Sequence, residues 1–587
     1  MTRQVSPTLT PGQPTRAPAP SPARDPGLPR PAGPADPAQP IGPARSAAPA
    51  RSVGTAPLLI AVLTVQAALS LRLVWSNTAF LDEATYLYAG HVELMHWLHG
   101  TPLPAYATYF SGAPVIYPPL AALAASAGGL AAARLLSLAF MLGATALLWG
   151  TTTRLFGQRA AFFATSLFAV LGPTQFLGAF ATYDAMALFL LSASVWCVVR
   201  AGDRDDSTLL LVAGAALLAL ANATKYATGL FDPAVIALGG LAIAERRGVK
   251  AAMARAGYLT ASTLGLISVL LAIGGSWYLT GVLSTTVARA AGGNPPAVIL
   301  ADSAKWVGLV CMISGLGVAL AVLSRQHRAQ ALILLVLVVS GVAAPLNQAR
   351  IHTLTSLSKH VDFGAWFAAA AGGYAIAQLA RVPRQTWLRL AAAALAGLAA
   401  VAPAAIIGSA QADAFFQVWP DSAEVTADLA AITRAHPGNY LAEDYDVPAY
   451  YLEDTVPWQR WSNTWYFAYQ PPGSARALTG LAAYAAAVRQ HFFTLIILDF
   501  GDTAHTDGVI TSVISRSRGY QVIAELPYWD KFGSGRFTVW AYAPAAARRV
   551  RATARPGAPT AAQPGRAITA RLARSAAARR RSHRARR

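Results

Sequence analysis

Two adjacent carboxylates, Asp82 and Glu83, follow the first long apolar stretch of the chain, in the sequence FLDEATYLYAG. Only 13% of the residues are charged, whereas a soluble globular protein has about 25%. Carboxylates next to hydrocarbon are costly to desolvate, so a pair of them at this place indicates a function. A carboxylate there can take a proton from a reacting hydroxyl or help to bind a metal ion.

A third carboxylate, Asp184, lies in GAFATYDAMALFLL, at the mouth of another apolar stretch. An Asp deep in a membrane span costs about 2.5–3.5 kcal/mol on insertion scales and less near the interface. Asp184 also suits the N-cap of the helix that follows, a role that any Asp can fill. Capping explains Asp184 alone, but it does not explain a second acidic group on the same face.

The basic candidates are Lys225, in ANATKYATGL, and Arg350, His352, Lys359 and His360, in NQARIHTLTSLSKHVDF. Each one taken alone is equally explained by snorkelling to lipid headgroups. As a cluster facing carboxylates, they suit a reaction in which a hydroxyl loses a proton and a phosphate leaves. The two histidines with a carboxylate are an alternative metal site, although their spacing matches no fixed ligand pattern.

Long apolar stretches hold these residues. The chain is 55% hydrophobic with a mean hydropathy of +0.41, and stretches near the roughly 20 residues that a bilayer requires recur along it. The fold class is therefore predicted as an α-helical polytopic membrane protein with about eleven transmembrane helices. The predicted spans are 56–75, 130–153, 159–178, 184–200, 207–222, 226–244, 257–275, 305–323, 330–346, 361–380 and 388–408.

The short loops alternate in charge in the way that the positive-inside rule predicts. Arg246, Arg247 and Lys250, for example, lie between two spans on the side of the N-terminus. With the N-terminus in the cytoplasm, the three carboxylates and the 347–360 loop lie outside, as does everything after 408. We predict a multi-pass protein of a bacterial plasma membrane, since the Ala- and Arg-rich composition is typical of a high-GC bacterium.

Composition divides the chain into four parts. We predict a disordered, Pro/Ala-rich cytoplasmic arm at 1–55, a transmembrane catalytic domain at 56–410, an extracytoplasmic α/β domain at 411–545 and a basic disordered tail at 546–587. In the α/β domain, FTLIILDF and RFTVWAY are predicted strands, and ARALTGLAAYAAAVRQHF is a predicted helix. Much of the net charge of +20 lies in the tail, so it does not indicate nucleic-acid binding. Both cysteines fall inside apolar spans, so neither indicates a disulfide framework or a metal site.

The order and spacing of these residues resemble the GT-C fold membrane glycosyltransferases. The resemblance is to the bacterial protein O-mannosyltransferase and aminoarabinose transferase group (families 39 and 83), and it covers roughly residues 56–380. The matching features are Asp82-Glu83, YPPL at 117–120 leading to AARLLSLAF, Asp184, Lys225-Tyr226 and SLSKH at 356–360.

The resemblance implies a polyprenyl-phosphate-linked sugar as donor and a hydroxyl acceptor on a lipid, glycan or protein of the cell envelope. It implies inversion at the anomeric carbon, with Asp82 as the base. Glu83 and Asp184 would position the acceptor or a divalent metal ion, which leaves the cofactor open. The residues that would bind the donor phosphate are Lys225, Arg350, Lys359 and His360.

Two other classes of function compete with this hypothesis. A transporter or lipid flippase predicts internal repeats and ionisable groups near mid-bilayer, and the sequence shows neither. A non-catalytic scaffold that displays the outer domain would leave Asp82 and Asp184 replaceable. The sequence specifies neither the sugar nor the acceptor.

Overall fold

A computed structural model describes residues 56–203, 207–323, 328–381, 385–517 and 519–543. The predicted N-terminal arm and the predicted basic tail lie outside the described residues. The first part of the chain is helical. Its helices are α1 (Ala56–Val74), α2 (Leu81–His99), α3 (Tyr117–Phe156), α4 (Gln158–Val170), α5 (Gly172–Leu177), α6 (Tyr183–Ala201), α7 (Thr208–Thr224), α8 (Asp232–Thr285), α9 (Pro296–Leu323), α10 (Arg328–Arg350), α11 (Leu357–Leu379) and α12 (Thr386–Phe415).

The predicted apolar spans fall on these helices. Seven helical segments of the described residues are long and apolar enough to cross a membrane, so the prediction of a multi-span membrane protein is confirmed. The predicted division between the spans 207–222 and 226–244 is present in the structure: α7 ends at Thr224, and a short 3₁₀ helix at Tyr226–Phe231 precedes α8. Helix α2 was not predicted, because its polar residues interrupt the apolar pattern.

Helix α3 has two parts. It begins at Tyr117-Pro118-Pro119, where the fixed φ of proline suits the first turn. The backbone then breaks at Gly128 and Gly129. Gly129 has a φ of +64°, which glycine adopts without a steric penalty. The break separates the short first part from the long apolar part that carries Arg134.

Helix α11 lies at the centre of the helical bundle, packed against α4, α9 and α10. Its middle turns are small residues that are fully buried, such as Ala368 and Ala369, which allow neighbouring helices to approach closely. The indole of Trp366 donates a hydrogen bond of 3.0 Å to the carbonyl of Ala144 in α3. This hydrogen bond ties α11 to α3.

After α12 the chain forms a smaller α/β region. Its elements are α13 (Ala423–Ala435), β1 (Asn439–Ala442), α14 (Asp446–Tyr451), β2 (Trp461–Ser462), β3 (Ala468–Tyr469), β4 (Leu478–Thr479), α15 (Gly480–Arg489), β5 (Phe493–Leu498), α16 (Ala504–Arg516), β6 (Tyr520–Asp530) and β7 (Gly533–Tyr542). Five strands form a sheet in the order β2-β1-β5-β7-β6, and β3 pairs with β4. Strands β2, β1 and β5 are parallel, whereas β7 runs antiparallel to β5 and β6.

The two predicted strands and the predicted helix of this region correspond to β5, β7 and α15. Strand β6 was not predicted, and Pro527 within it is tolerated because β6 is at the edge of the sheet. The β6–β7 hairpin turns where the carboxylate of Asp530 accepts hydrogen bonds from the backbone of Phe532 and Gly533. A small sheet region thus follows the helical bundle.

The short segment between α1 and α2 joins the bundle to the α/β region. The hydroxyl of Tyr451 receives a hydrogen bond of 2.8 Å from the backbone N–H of Ala79. The carbonyl of Thr78 accepts one of 2.9 Å from the indole of Trp419, and its hydroxyl accepts one of 2.8 Å from the N–H of Ser422. These bonds fix the start of α2, and with it Asp82.

Candidate functional site

Four charged side chains meet where four helices begin or end. Asp82 is in the first turn of α2, Asp184 in the first turn of α6 and Lys359 in the first turn of α11, while Lys225 follows the last residue of α7. A carboxylate in a first helical turn is stabilised by the helix dipole. The helix ends therefore place two carboxylates and two ammonium groups at one end of the bundle.

The four charges form two ion pairs. The ammonium group of Lys225 lies 2.7 Å from Oδ1 of Asp184, and the hydroxyl of Thr182 donates a bond of 3.1 Å to Oδ2. Lys359 donates a hydrogen bond to Asp82. The pairs are neighbours, because Lys359 is close enough to Asp184 to act on it electrostatically.

Aromatic rings line the space around both pairs. The ammonium group of Lys225 lies 4.6 Å from the ring centroid of Tyr183, and that ring lies 4.5 Å from the ring of Tyr86. Lys359 lies 5.9 Å from the ring centroid of Phe180. Cations are attracted to the faces of aromatic rings, so these rings help to hold the ammonium groups.

Exposure distinguishes Asp82 from the rest of the cluster. The side chain of Asp82 is 33% exposed, whereas its partner Lys359 is 6% exposed. In the other pair, Lys225 is 2% exposed and Asp184 is completely buried. Asp82 is consequently the carboxylate of this cluster that a molecule from outside can reach.

Glu83 differs from its neighbour Asp82 in its burial and in its partners. It is fully buried and lies 2.6 Å from Arg134, which is also fully buried. Its carboxylate accepts two hydrogen bonds from Arg134 and one each from the backbone of Phe80 and Ala181. Four donors therefore occupy the two carboxylate oxygens, and the side chain is turned away from Asp82.

Lys225 is positioned by a close backbone contact. The N–H of Tyr226 donates a hydrogen bond of 2.8 Å to the carbonyl of Ser111, and the N–H of Ala113 donates one of 2.7 Å to the carbonyl of Ala223. Between them lies Gly112, where a Cβ atom would lie 2.1 Å from the carbonyl oxygen of Thr224. The absence of a side chain at Gly112 permits this approach.

The predicted basic cluster of the 347–360 loop divides in the structure. Lys359 and His360 are in α11, where Nδ1 of His360 lies 2.9 Å from the amide of Gln348. Arg350 is exposed and donates to the side chain of Asn347. His352 lies 3.2 Å from the carbonyl of Asn294. Lys359 thus joins the carboxylates directly, whereas Arg350 points to solvent.

The site residues predicted from the sequence did not include Arg134, Tyr86 or Tyr183. An arginine inside the apolar stretch AARLLSLAF is costly to bury unless it is paired. Its presence there could therefore have indicated a buried acidic partner. The partner, Glu83, is 51 residues away, so the pair required the packing of α2 against α3. Nothing in the sequence distinguishes Tyr86 and Tyr183 from the other aromatic residues.

A second acidic group lies in the α/β region. One carboxylate oxygen each of Glu443, Asp499 and Asp507 lies within 4.8 Å of the others, a spacing suited to a metal ion. Burial, followed by the contact with Glu443, raises the pKa of both Asp499 and Asp507. Burial also acts to raise the pKa of Glu443, but hydrogen bonds from its neighbours outweigh it and lower that pKa.

A cavity of about 190 Å³ connects this acidic group with the start of α2. Glu443 and Asp499 are among its lining residues, as are Phe80 and Leu81. Leu81 directly precedes Asp82 in the chain. The cavity thus reaches from the sheet to the residues that carry Asp82.

The fold is that of the GT-C membrane glycosyltransferases, which confirms the predicted fold class. It resembles the archaeal oligosaccharyltransferase AglB from Archaeoglobus fulgidus in complex with an inhibitory peptide and a dolichol-phosphate, at 12% identity and a TM-score of 0.52, covering 82% of this chain and 74% of that chain. A structure of the Archaeoglobus fulgidus oligosaccharyltransferase with Zn and sulfate matches at 13% identity and a TM-score of 0.50, covering 83% and 73%. ArnT from Cupriavidus metallidurans bound to undecaprenyl phosphate matches at 14% identity and a TM-score of 0.48, covering 83% and 98%.

One segment of the sequence also matches a family model. Residues 117–273 match the family described as dolichyl-phosphate-mannose-protein mannosyltransferase. The segment includes Arg134, Asp184 and Lys225, but it ends before Lys359 and begins after Asp82. No curated protein matches the chain.

Proposed function

We propose that this protein transfers a sugar from a polyprenyl-phosphate donor to a hydroxyl acceptor on the outer face of a bacterial plasma membrane. The acceptor hydroxyl belongs to a lipid, glycan or protein, and the transfer inverts the anomeric carbon. Two comparisons support the donor class. AglB, which has the same fold, was solved with a dolichol-phosphate, and the family matched by 117–273 is described by a dolichyl-phosphate sugar donor.

One observation carries this proposal: the partly exposed carboxylate of Asp82 lies against Lys359, in the same cluster as the Asp184–Lys225 pair. A reaction that takes a proton from a hydroxyl and expels a phosphate needs a base and positive charge close together. Asp82 supplies the base at an accessible position. Lys359 and Lys225 supply the positive charge.

In the proposed reaction the acceptor oxygen forms a bond to the anomeric carbon while the bond from that carbon to the phosphate oxygen breaks. The electron pair of the broken bond leaves with the polyprenyl phosphate, and the acceptor proton passes to Asp82. A carboxylate is a weak base towards a hydroxyl, so the proton moves late, as the new bond forms. Most of the acceleration then comes from orienting the reactants and from stabilising the leaving phosphate.

The remaining predicted site residues take different parts in this proposal. Because four hydrogen-bond donors occupy its carboxylate, we assign Glu83 the task of holding the start of α2 rather than contacting the acceptor. Asp184 orients Lys225 towards the donor phosphate. His360 supports the first turn of α11 through Gln348, and Arg350, which is exposed, contacts the lipid phosphate only at the rim.

The proposal is tested with purified protein and a panel of polyprenyl-phosphate sugars, by measuring the release of polyprenyl phosphate. Asp82→Asn removes the base and is expected to abolish transfer while the protein remains folded. Asp302→Asn is the matched control, because Asp302 is 34% exposed and lies 3.2 Å from Lys305. Full activity in Asp82→Asn, or equal loss in both variants, would contradict the assignment.

A further inference from the structure

The carboxylates of Glu443, Asp499 and Asp507 come together for a topological reason. Glu443 directly follows β1 and Asp499 directly follows β5, and these two strands are parallel neighbours in the sheet. Asp507 is in the first turn of α16, the helix that follows β5. The carboxyl ends of neighbouring parallel strands form the crevice in which open α/β sheets commonly bind ligands.

Among the described residues, the three carboxyl groups have no positive partner. No lysine or arginine in the described part of the chain forms an ion pair with Glu443, Asp499 or Asp507. Glu443 instead accepts hydrogen bonds from the backbone N–H groups of Gly501 and Thr503, at 3.2 and 2.7 Å. Like charges this close repel one another unless a proton or a cation lies among them.

Asp507 contributes a buried carboxylate oxygen to this group. Asp507 is completely buried, and its Oδ1 accepts a hydrogen bond from the hydroxyl of Thr503. Its Oδ2 is buried without a hydrogen-bond partner among the described residues, as is Oδ1 of Asp499. Buried polar atoms are normally satisfied, so each of these oxygens has an unused coordination position.

We propose that Glu443, Asp499 and Asp507 bind a hard divalent cation, Ca²⁺ or Mg²⁺, at the carboxyl edge of the sheet. Carboxylate oxygens are the ligands that these cations prefer, and the set contains no histidine or cysteine that would favour zinc. The cation would neutralise the three carboxylates and tie the end of β1 to the segment that joins β5 to α16. Since Glu443 and Asp499 also line the cavity at the start of α2, this site would stiffen one wall of that cavity.

The test is thermal unfolding of the full-length protein in detergent after treatment with EDTA. Titration with CaCl₂ and separately with MgCl₂ is expected to raise the melting temperature saturably for at least one of them, and the stronger response identifies the cation. Asp507→Asn is expected to weaken the apparent affinity by about tenfold or more, because it removes one charged ligand. Asp502→Asn, an exposed carboxylate in the same segment, should respond as the wild type does.

Two results would overturn the proposal. One is a stripped wild-type protein whose melting temperature neither cation changes, which means that the three groups share protons instead. The other is an Asp507→Asn variant that retains the wild-type response. Misfolding of the variant is distinguishable, since losing one of three repelling charges should leave the EDTA-treated protein at least as stable as the wild type.

Discussion

Glu83 and Arg134 form a completely buried ion pair in which the guanidinium uses all five of its N–H groups. Two of these donate to Glu83, and the others donate to the backbone carbonyls of Val74, Asn77 and Thr78. The pair therefore fixes the segment between α1 and α2. Asp82, the neighbour of Glu83, owes its position to this pair.

Removing one member of the pair should destabilise the protein strongly. Arg134→Met leaves the Glu83 carboxylate buried without its partner, which costs about 3–5 kcal/mol in comparable cases. We expect a large fall in the melting temperature, and a partial recovery in the double variant with Glu83→Gln. The matched control is Arg536→Met, because the Arg536–Glu525 pair is exposed and such pairs contribute about 0–1 kcal/mol. Equal effects in the two single variants would contradict this account.

The basic residues should differ in their effect on transfer. Lys359→Met removes a positive charge that lies in the cluster with Asp82, and the loss of such a group from a developing charge commonly costs about 10²–10³ in kcat. Arg350→Met removes an exposed guanidinium bonded to Asn347, and we expect a loss of less than about tenfold. Steady-state kinetics with a polyprenyl-phosphate sugar measure both. A larger loss for Arg350→Met would place the donor phosphate at the loop instead.

Gly112→Ala should displace Lys225 by moving the backbone next to it. The new Cβ atom would lie 2.1 Å from the carbonyl oxygen of Thr224, so the backbone beside Lys225 must move. We expect a clear fall in transfer activity with a smaller fall in melting temperature. Gly293→Ala is the control, since a Cβ atom there meets nothing within 4 Å. Unchanged activity in Gly112→Ala would show that the position of Lys225 is not critical.

The helical spans were predictable because burial in a bilayer demands long apolar stretches, and these are visible in the sequence. The charged residues near the site were predictable for the same reason: a charge such as Asp184 or Lys225 is conspicuous against apolar neighbours. Their pairing was not predictable. Asp82 and Lys359 are 277 residues apart, and nothing local in either segment specifies the other.

The difference between Asp82 and Glu83 also required the structure. Both residues are acidic and adjacent, and the sequence shows only that neighbouring side chains point in different directions. Helix α2 turns one residue towards the accessible cluster and the other towards Arg134, which lies in a different helix. The acidic group of the α/β region escaped prediction because its three members are 8 to 64 residues apart and meet only through the parallel pairing of β1 and β5.

Asp446 gives the α/β region a pH-dependent stability. Burial, followed by the nearby Asp444, raises the pKa of Asp446 to about 7. Between its ordinary pKa near 4 and this value, the folded protein holds a proton that the unfolded chain releases. The free energy of unfolding therefore falls as the pH rises through this range, and the stabilisation is fully present only on the acidic side.

Asp446→Asn keeps the side chain neutral at every pH, so it should remove the contribution of this residue to the pH dependence of the free energy of unfolding. We expect the variant to unfold at a higher temperature than the wild type at pH 8, with the difference shrinking towards pH 5. Thermal unfolding of the full-length protein across that range measures it. Glu525→Gln, which replaces an exposed carboxylate of β6 that pairs with Arg536, should follow the wild-type profile. A difference between Asp446→Asn and wild type that does not vary with pH would mean that Asp446 is already ionised in the folded protein.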